Sequence, residues 1–407
     1  MFARSPVATA SVQRDARSPA RARFALVVLA ACLACLAWLC VAVMPFENGL
    51  AWDSTRYAAM ATHPVGKAGV EAPFAFRLLT PWLASKLPGD WAVIARFQLL
   101  DLAAFLAMAL ASFEYFDRSF AGHRRGAFIA AVVLIMNGLF SLYAFCPVSV
   151  DLPSMAFAMI ALAFSARGQH VAFSASLAIA AASKELGLWP VVDHVLRHRH
   201  VWLKAPWKLP VLCFAYVPAL LVFIASRHYV DADGGAVAYY VETILGFWEG
   251  STHRDGPIRV LVAIMEAEGV PVIVAVLAAP SVWRAAKARP EIAAYFLTGT
   301  AFVLIGGKNL VLFAFHASPA LLALLVPTFD RLRHPAIAVA FATAVLLRAR
   351  PYLEGWPREL HAYERTGAYW MTAEDLAARL FYWACVGFAM ALVWQIASMR
   401  RGARSPD

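Results

Sequence analysis

Trp91-Ala-Val-Ile-Ala-Arg96-Phe-Gln-Leu-Leu-Asp101-Leu-Ala-Ala-Phe-Leu-Ala-Met-Ala-Leu-Ala-Ser-Phe113 is an apolar run long enough to cross a bilayer as one helix. A helix rises about 1.5 Å per residue, and the hydrocarbon it must cross is about 30 Å thick. Similar runs occur at about 24–44, 127–145, 148–165, 209–226, 258–283, 291–306, 310–329, 335–347 and 380–398. Between Val171 and Leu196 lies an apolar hairpin broken by Lys184-Glu185, whose arms of about a dozen residues are too short to cross unaided. With 61% hydrophobic and only 15% charged residues, the 407-residue chain is unlike a soluble domain, which is about one quarter charged. The expected fold is all-α: a polytopic transmembrane helical bundle of about 10–12 spans with one short broken hairpin. A single membrane domain, 24–398, is expected between a basic arm, 1–23, and a short tail, 399–407.

The charges suggest an orientation. With the amino-terminal arm inside, the arm, inner loops and tail hold 21 basic and 7 acidic residues, a net +14; the remaining 15 basic and 19 acidic residues give −4. Basic residues resist translocation, so both termini are expected in the cytoplasm, with an even number of spans. The formal charge of +10 then reflects topology, and no nucleic-acid partner is expected. Leu29-Ala30-Ala31-Cys32 resembles a lipoprotein cleavage box, but the apolar run continues past Cys32, so the first span is read as a retained anchor.

Much ordinary chemistry has no footing here. All six cysteines lie in or beside apolar segments, where a thiol packs as a small hydrophobe, and no disulfide framework is implied. Gly306-Gly307-Lys308 lacks the rest of a phosphate-binding loop, and no internal repeat is evident. His253 with Asp255 is too sparse a set to define a metal site.

The outer loops, at about 46–90, 227–257 and 348–379, are long for a chain otherwise tightly connected, and long loops between packed elements tend to carry function. In the first, Asp53, Arg56 and Tyr57 share one face of a helical turn. They read either as a surface ion pair or as a carboxylate poised to take a proton, oriented by Arg56. Arg77, among Phe74, Phe76 and Trp82, reads either as an arginine snorkelling at the interface or as a planar fork for a lipid phosphate. Asp151 opens a span and reads as a helix cap or a site acid. Lys184 and Glu185 at the hairpin break are either a local pair or a phosphate ligand with its counter-charge. Lys308 has the same two readings, Asp101 is expected to be structural, and His316 is expected to be core.

An early outer-loop Asp followed by Tyr, Pro73-Phe74-Ala-Phe-Arg77-Leu-Leu-Thr-Pro81 before a span, Asp151, and Ser183-Lys184-Glu185-Leu186-Gly187 together resemble the GT-C superfamily of integral-membrane glycosyltransferases. Ser318-Pro319-Ala320-Leu321-Leu322 before a basic loop is similar too. The resemblance implies a membrane enzyme, in a bacterial inner membrane, that uses a polyprenyl-phosphate-linked sugar at the outer face. By the same analogy Asp53 is the catalytic base and Arg77, Lys184 and Lys308 are candidates for the donor phosphate; Arg56, Tyr57, Asp151 and Glu185 complete the candidate substrate-binding set. No cofactor is legible. The superfamily often pairs acids in this loop whereas Asp53 has no acidic neighbour, so a divalent cation stays open. The rival classes are a transporter or lipid-sugar flippase and a non-catalytic scaffold of envelope assembly.

Overall fold

The computed structural model describes residues 18–40, 53–63, 69–70, 74–136, 148–230, 256–305, 314–332 and, apart from 388 and 392, 380–395. Among these residues every regular element is helical. Helices α1 (Ser18–Cys40), α2 (Asp53–Thr62), α3 (Leu79–Lys86), α4 (Val93–Ser119) and α5 (Arg124–Met136) form the first half. They are followed by α6 (Asp151–Ala166), α7 (His170–Ser183), α8 (Pro190–Arg197), α9 (Arg199–Lys204), α10 (Leu209–Phe214) and α11 (Val217–Tyr229). The remainder comprises α12 (Gly256–Glu268), α13 (Val270–Leu277), α14 (Ala279–Ala288), α15 (Pro290–Ile305) and α16 (Ser318–Arg331).

Helix α4 runs for 27 residues without a glycine or proline. It alone among the described helices is long and apolar enough to cross a membrane. Others are cut shorter by proline, which removes a backbone donor and clashes with the preceding turn. The run expected as one span over 258–283 is instead divided among α12, α13 and α14, and α13 meets α14 at 92°. Pro271 and Pro280 sit in the first turns of α13 and α14, and Gly269 takes a positive φ of 34° at the first break. The run over 209–226 is likewise split into α10 and α11, with Pro218 at the start of the second. The hairpin over 171–196 consists of α7, a 3₁₀ turn at Glu185–Leu188, and α8. The runs at 137–145, 335–347 and 396–398 lie outside the described residues.

The core forms around α4. Phe105, Met108, Phe113 and Phe116 are buried in one cluster with Leu134 of α5, Leu152, Met155 and Met159 of α6, and Leu321–Val326 of α16. Lipid is as apolar as these side chains, so close van der Waals packing rather than transfer from water holds such helices together. At one end of the bundle Glu114 accepts from Arg23 at 2.6 Å, Arg118 at 2.9 Å and Arg167 at 3.0 Å. Nearby, Asp193 is fully buried and is held by Arg197 through two bonds of 2.9 Å and by the Tyr115 hydroxyl at 3.0 Å. These arginines tie α1, α4, α6 and α8 together. From here α7 carries the chain about 20 Å to the opposite end, where Lys184 and Glu185 emerge.

Asp101 is buried near the middle of α4, and neither carboxyl oxygen has a hydrogen-bond partner among the described residues. Arg96 does not pair with it and instead donates to the carbonyls of Trp91 at 3.1 Å and Gly89 at 2.9 Å. A buried acid without a partner is costly to keep. Asp101→Asn is therefore expected to leave the melting temperature of the purified protein unchanged or raised by a few degrees. A fall would mean that the carboxylate makes a favourable contact.

Candidate functional site

Short-range geometry places α2 first. The Ser54 hydroxyl donates to the carbonyl of Val148 at 3.0 Å, fixing α2 against the segment that enters α6. Tyr57, on the same helix, is buried and meets Phe74 edge-on, with ring centroids 6.4 Å apart at 70°. Phe74 begins a 3₁₀ turn that ends at Phe76, which delivers Arg77 beneath α2. There Arg77 donates to the Tyr57 hydroxyl at 2.6 Å and grips Glu185 through two bonds, Nε to Oε2 at 3.1 Å and an Nη to Oε1 at 2.6 Å. The planar guanidinium is suited to this two-pronged contact. Arg77 is only 6% exposed. It is held inside the protein by Tyr57 and Glu185, so the interfacial snorkelling reading is corrected.

The hairpin break supplies the second pair. Lys184 leaves the end of α7 in extended conformation, at φ −162° and ψ 145°. Its ammonium donates to Asp151 Oδ1, while Asp151 Oδ2 accepts from the Ser149 hydroxyl at 3.0 Å. Lys184 and Glu185 therefore do not pair with each other. Adjacent residues in this turn diverge, one toward α6 and the other toward Arg77. Nor does Asp151 act as a helix cap, since it occupies the first turn of α6 with Val150 at the cap position. Gly187 is required just beyond the break, because a Cβ there would collide with the backbone of Ala180 on α7.

Asp53 opens α2 and pairs with Arg56 at 3.3 Å, and Arg56 in turn lies over the Phe74 ring, 4.4 Å from its centroid. Burial raises the Asp53 carboxyl above its ordinary pKa of 3.8, with Arg77 and Lys184 pulling it down, Asp151 pushing it up and Arg56 pulling it down. These electrostatic influences put Asp53 in the neighbourhood of both crossed ion pairs. Its side chain nonetheless remains 46% exposed, against 14% for Asp151 and 16% for Glu185. Asp53 is the accessible edge of a cluster whose interior is closed.

Six of the residues singled out in sequence around Asp53 are thus brought together with it: Arg56, Tyr57, Arg77, Asp151, Lys184 and Glu185. Lys308 lies outside the described residues, as do His253 and Asp255. His316, expected as core, is buried near the cluster and feels the charges of Lys184, Asp151 and Glu185. Its ring stacks with Trp189 at 6.1 Å, and its Nε2 has no hydrogen-bond partner among the described residues. Nothing local in the sequence distinguishes it, because its place here depends on how α16 packs.

An apolar cavity of ≈ 230 Å³ lies between α3, α4 and α6, lined by Thr80, Leu83, Leu100, Ala107, Pro153 and Phe157 among others. The acids of the cluster do not fit a divalent ion as they stand: Asp53 is paired with Arg56, Asp151 with Lys184 and Glu185 with Arg77. What the arrangement offers chemically is an accessible carboxylate next to two buried, firmly held cations.

No protein-family model matches the chain, and no curated protein sequence matches it. Among solved structures, the crystal structure of ArnT from Cupriavidus metallidurans bound to undecaprenyl phosphate is similar to it, with a TM-score of 0.54. The match covers 91% of this chain and 72% of ArnT at 18% identity. So low an identity speaks to architecture rather than chemistry. The chain thus shares the fold of ArnT, in agreement with the architecture that the resemblance of its motifs implies.

Proposed function

We propose that this protein is a membrane glycosyltransferase that moves a sugar from a polyprenyl-phosphate-linked donor to an acceptor hydroxyl at the outer face of a bacterial inner membrane. The observation that carries the reading is the position of Asp53, solvent-accessible and beside the buried cations Arg77 and Lys184. Asp53 takes the proton of the acceptor hydroxyl, and the oxygen attacks the anomeric carbon. The bond from that carbon to the phosphate oxygen breaks, and the polyprenyl phosphate departs with the electron pair. Arg77 and Lys184 offset the charge that develops on the leaving phosphate, the kind of preorganised electrostatic help that usually contributes most to such reactions. Arg56 orients Asp53, Tyr57 and Glu185 hold the Arg77 fork in place, and Asp151 holds Lys184. Lys308 is a further phosphate ligand in this proposal. The single domain over 24–398 and cytoplasmic termini belong to the same proposal.

The three cations Arg56, Arg77 and Lys184 face the three acids Asp53, Asp151 and Glu185, so the cluster is close to neutral and charge alone would bind a phosphate weakly. Affinity must come mostly from the lipid, at about 0.8 kcal/mol for each buried methylene. The apolar cavity beside Thr80 is placed to take part of such a chain. The reading is tested by titrating undecaprenyl phosphate into the protein in nanodiscs, with phosphatidylglycerol as the anionic control. Preferential binding of the polyprenyl phosphate is expected, weakened about tenfold or more by Lys184→Gln, the usual cost of losing a charge-assisted contact. Equal binding of both lipids would overturn it.

A further inference from the structure

At the other end of α7, three histidines converge. His170 begins α7, His194 lies in α8, and His198 follows the last turn of α8. One ligand nitrogen from each can be chosen so that all three lie within 4.8 Å of one another. His194 is fully buried, and its Nδ1 lies 2.7 Å from the hydroxyl of Tyr216, the residue that caps the start of α11. Its Nε2 lies 3.0 Å from His170 Nδ1. The Nε2 of His198 is buried and has no hydrogen-bond partner among the described residues.

Tyr216 therefore occupies one nitrogen of the His194 imidazole and frees the other, which is how outer partners commonly orient metal-bound histidines. A single proton shared between His170 and His194 satisfies that pair but leaves His198 Nε2 unsatisfied. One cation at the centre satisfies all three nitrogens. Tetrahedral zinc, with Zn–N of about 2.0–2.1 Å, sets its ligands about 3.3 Å apart, so small rotations of the rings close the cluster. The rings are otherwise held: Phe173 stacks on His194 with centroids 3.9 Å apart, and His170 and His198 meet at 4.7 Å. The neighbouring arginines are already compensated, Arg197 by Asp193 at 2.9 Å and Arg199 by Glu291 at 3.4 Å.

We propose that His170, His194 and His198 bind a divalent transition-metal ion of the zinc class. Neutral imidazole suits such an ion, and the exposed position of His170 leaves a fourth place open to water. The ion joins the start of α7 to the end of α8, closing the base of the hairpin whose tip presents Lys184 and Glu185. The site is separated from that tip by the length of α7, and it does not depend on the transfer reaction.

The test uses the full chain in detergent, free of any histidine tag and stripped with a chelator, titrated with zinc against a competing fluorescent indicator. One zinc per chain is expected. His170→Ala, at the exposed edge of the cluster, should weaken binding at least tenfold, and Tyr216→Phe should weaken it about 10–100-fold. Cobalt(II) in place of zinc should give the visible absorption of a tetrahedral site in the wild type and lose it in His170→Ala. Zinc uptake that is absent from the wild type, or equal in wild type and His170→Ala, overturns the proposal.

Discussion

Asp53→Asn is expected to lower sugar transfer by about 10²–10⁴-fold, the usual contribution of a positioned general base, without lowering the melting temperature. The two halves of this result have one physical origin. Burial raises the Asp53 pKa above 3.8, which means the folded protein holds this proton more tightly than the unfolded chain does. A group shifted in that direction favours the folded state below its unfolded pKa, and this stability is lost as pH rises through the folded pKa. At neutral pH the ionised Asp53 thus weighs against folding, and Asn removes that burden while keeping the size of the side chain. Transfer by the wild type should rise with pH as Asp53 loses its proton, with its midpoint above the ordinary carboxylate value, and the residual activity of the Asn variant should lack that step. Transfer near the wild-type rate in the variant would remove Asp53 from the reaction, and a lower melting temperature would show that its pair with Arg56 is chiefly structural.

What could be read in the sequence was what depends on neighbours along the chain. Helix α4 was legible because its apolar run contains neither glycine nor proline, and the break at Lys184-Glu185 because two adjacent charges interrupt an apolar stretch. The division of 258–283 was missed because apolarity is blind to backbone chemistry: Pro271 and Pro280 leave the stretch apolar while cutting the helix twice. The partners in the site were not legible. Glu185 lies 108 residues from Arg77, and Lys184 lies 33 from Asp151. Nothing local selects those pairings over the adjacent Lys184 and Glu185; they follow from α2, α6 and α7 being packed against one another. The histidine cluster is intermediate. His194 and His198 are four apart and share a helical face, a visible signal, but His170 joins them only when the hairpin folds.

Arg77 is the residue at which stability and function are hardest to separate, and a compensated variant separates them. Arg77→Ala alone leaves Glu185 buried without its guanidinium, and breaking a buried pair in this way costs about 3–5 kcal/mol. Poor expression of that variant would therefore be uninformative about phosphate binding. Arg77→Met with Glu185→Gln removes both charges at nearly constant volume, a change that is often neutral or stabilising in a protein interior. This double variant is expected to fold with a melting temperature close to wild type. Its transfer rate should still fall about 10²–10³-fold, the usual loss when one preorganised group that offsets developing charge is removed. Arg77→Lys should lie between the two: the charge remains, but an ammonium cannot bond Tyr57 and both Glu185 oxygens in one plane. If the double variant is stable and transfers sugar at the wild-type rate, Arg77 and Glu185 are a structural clamp between the segment beneath α2 and the hairpin, and the leaving phosphate must be stabilised without them.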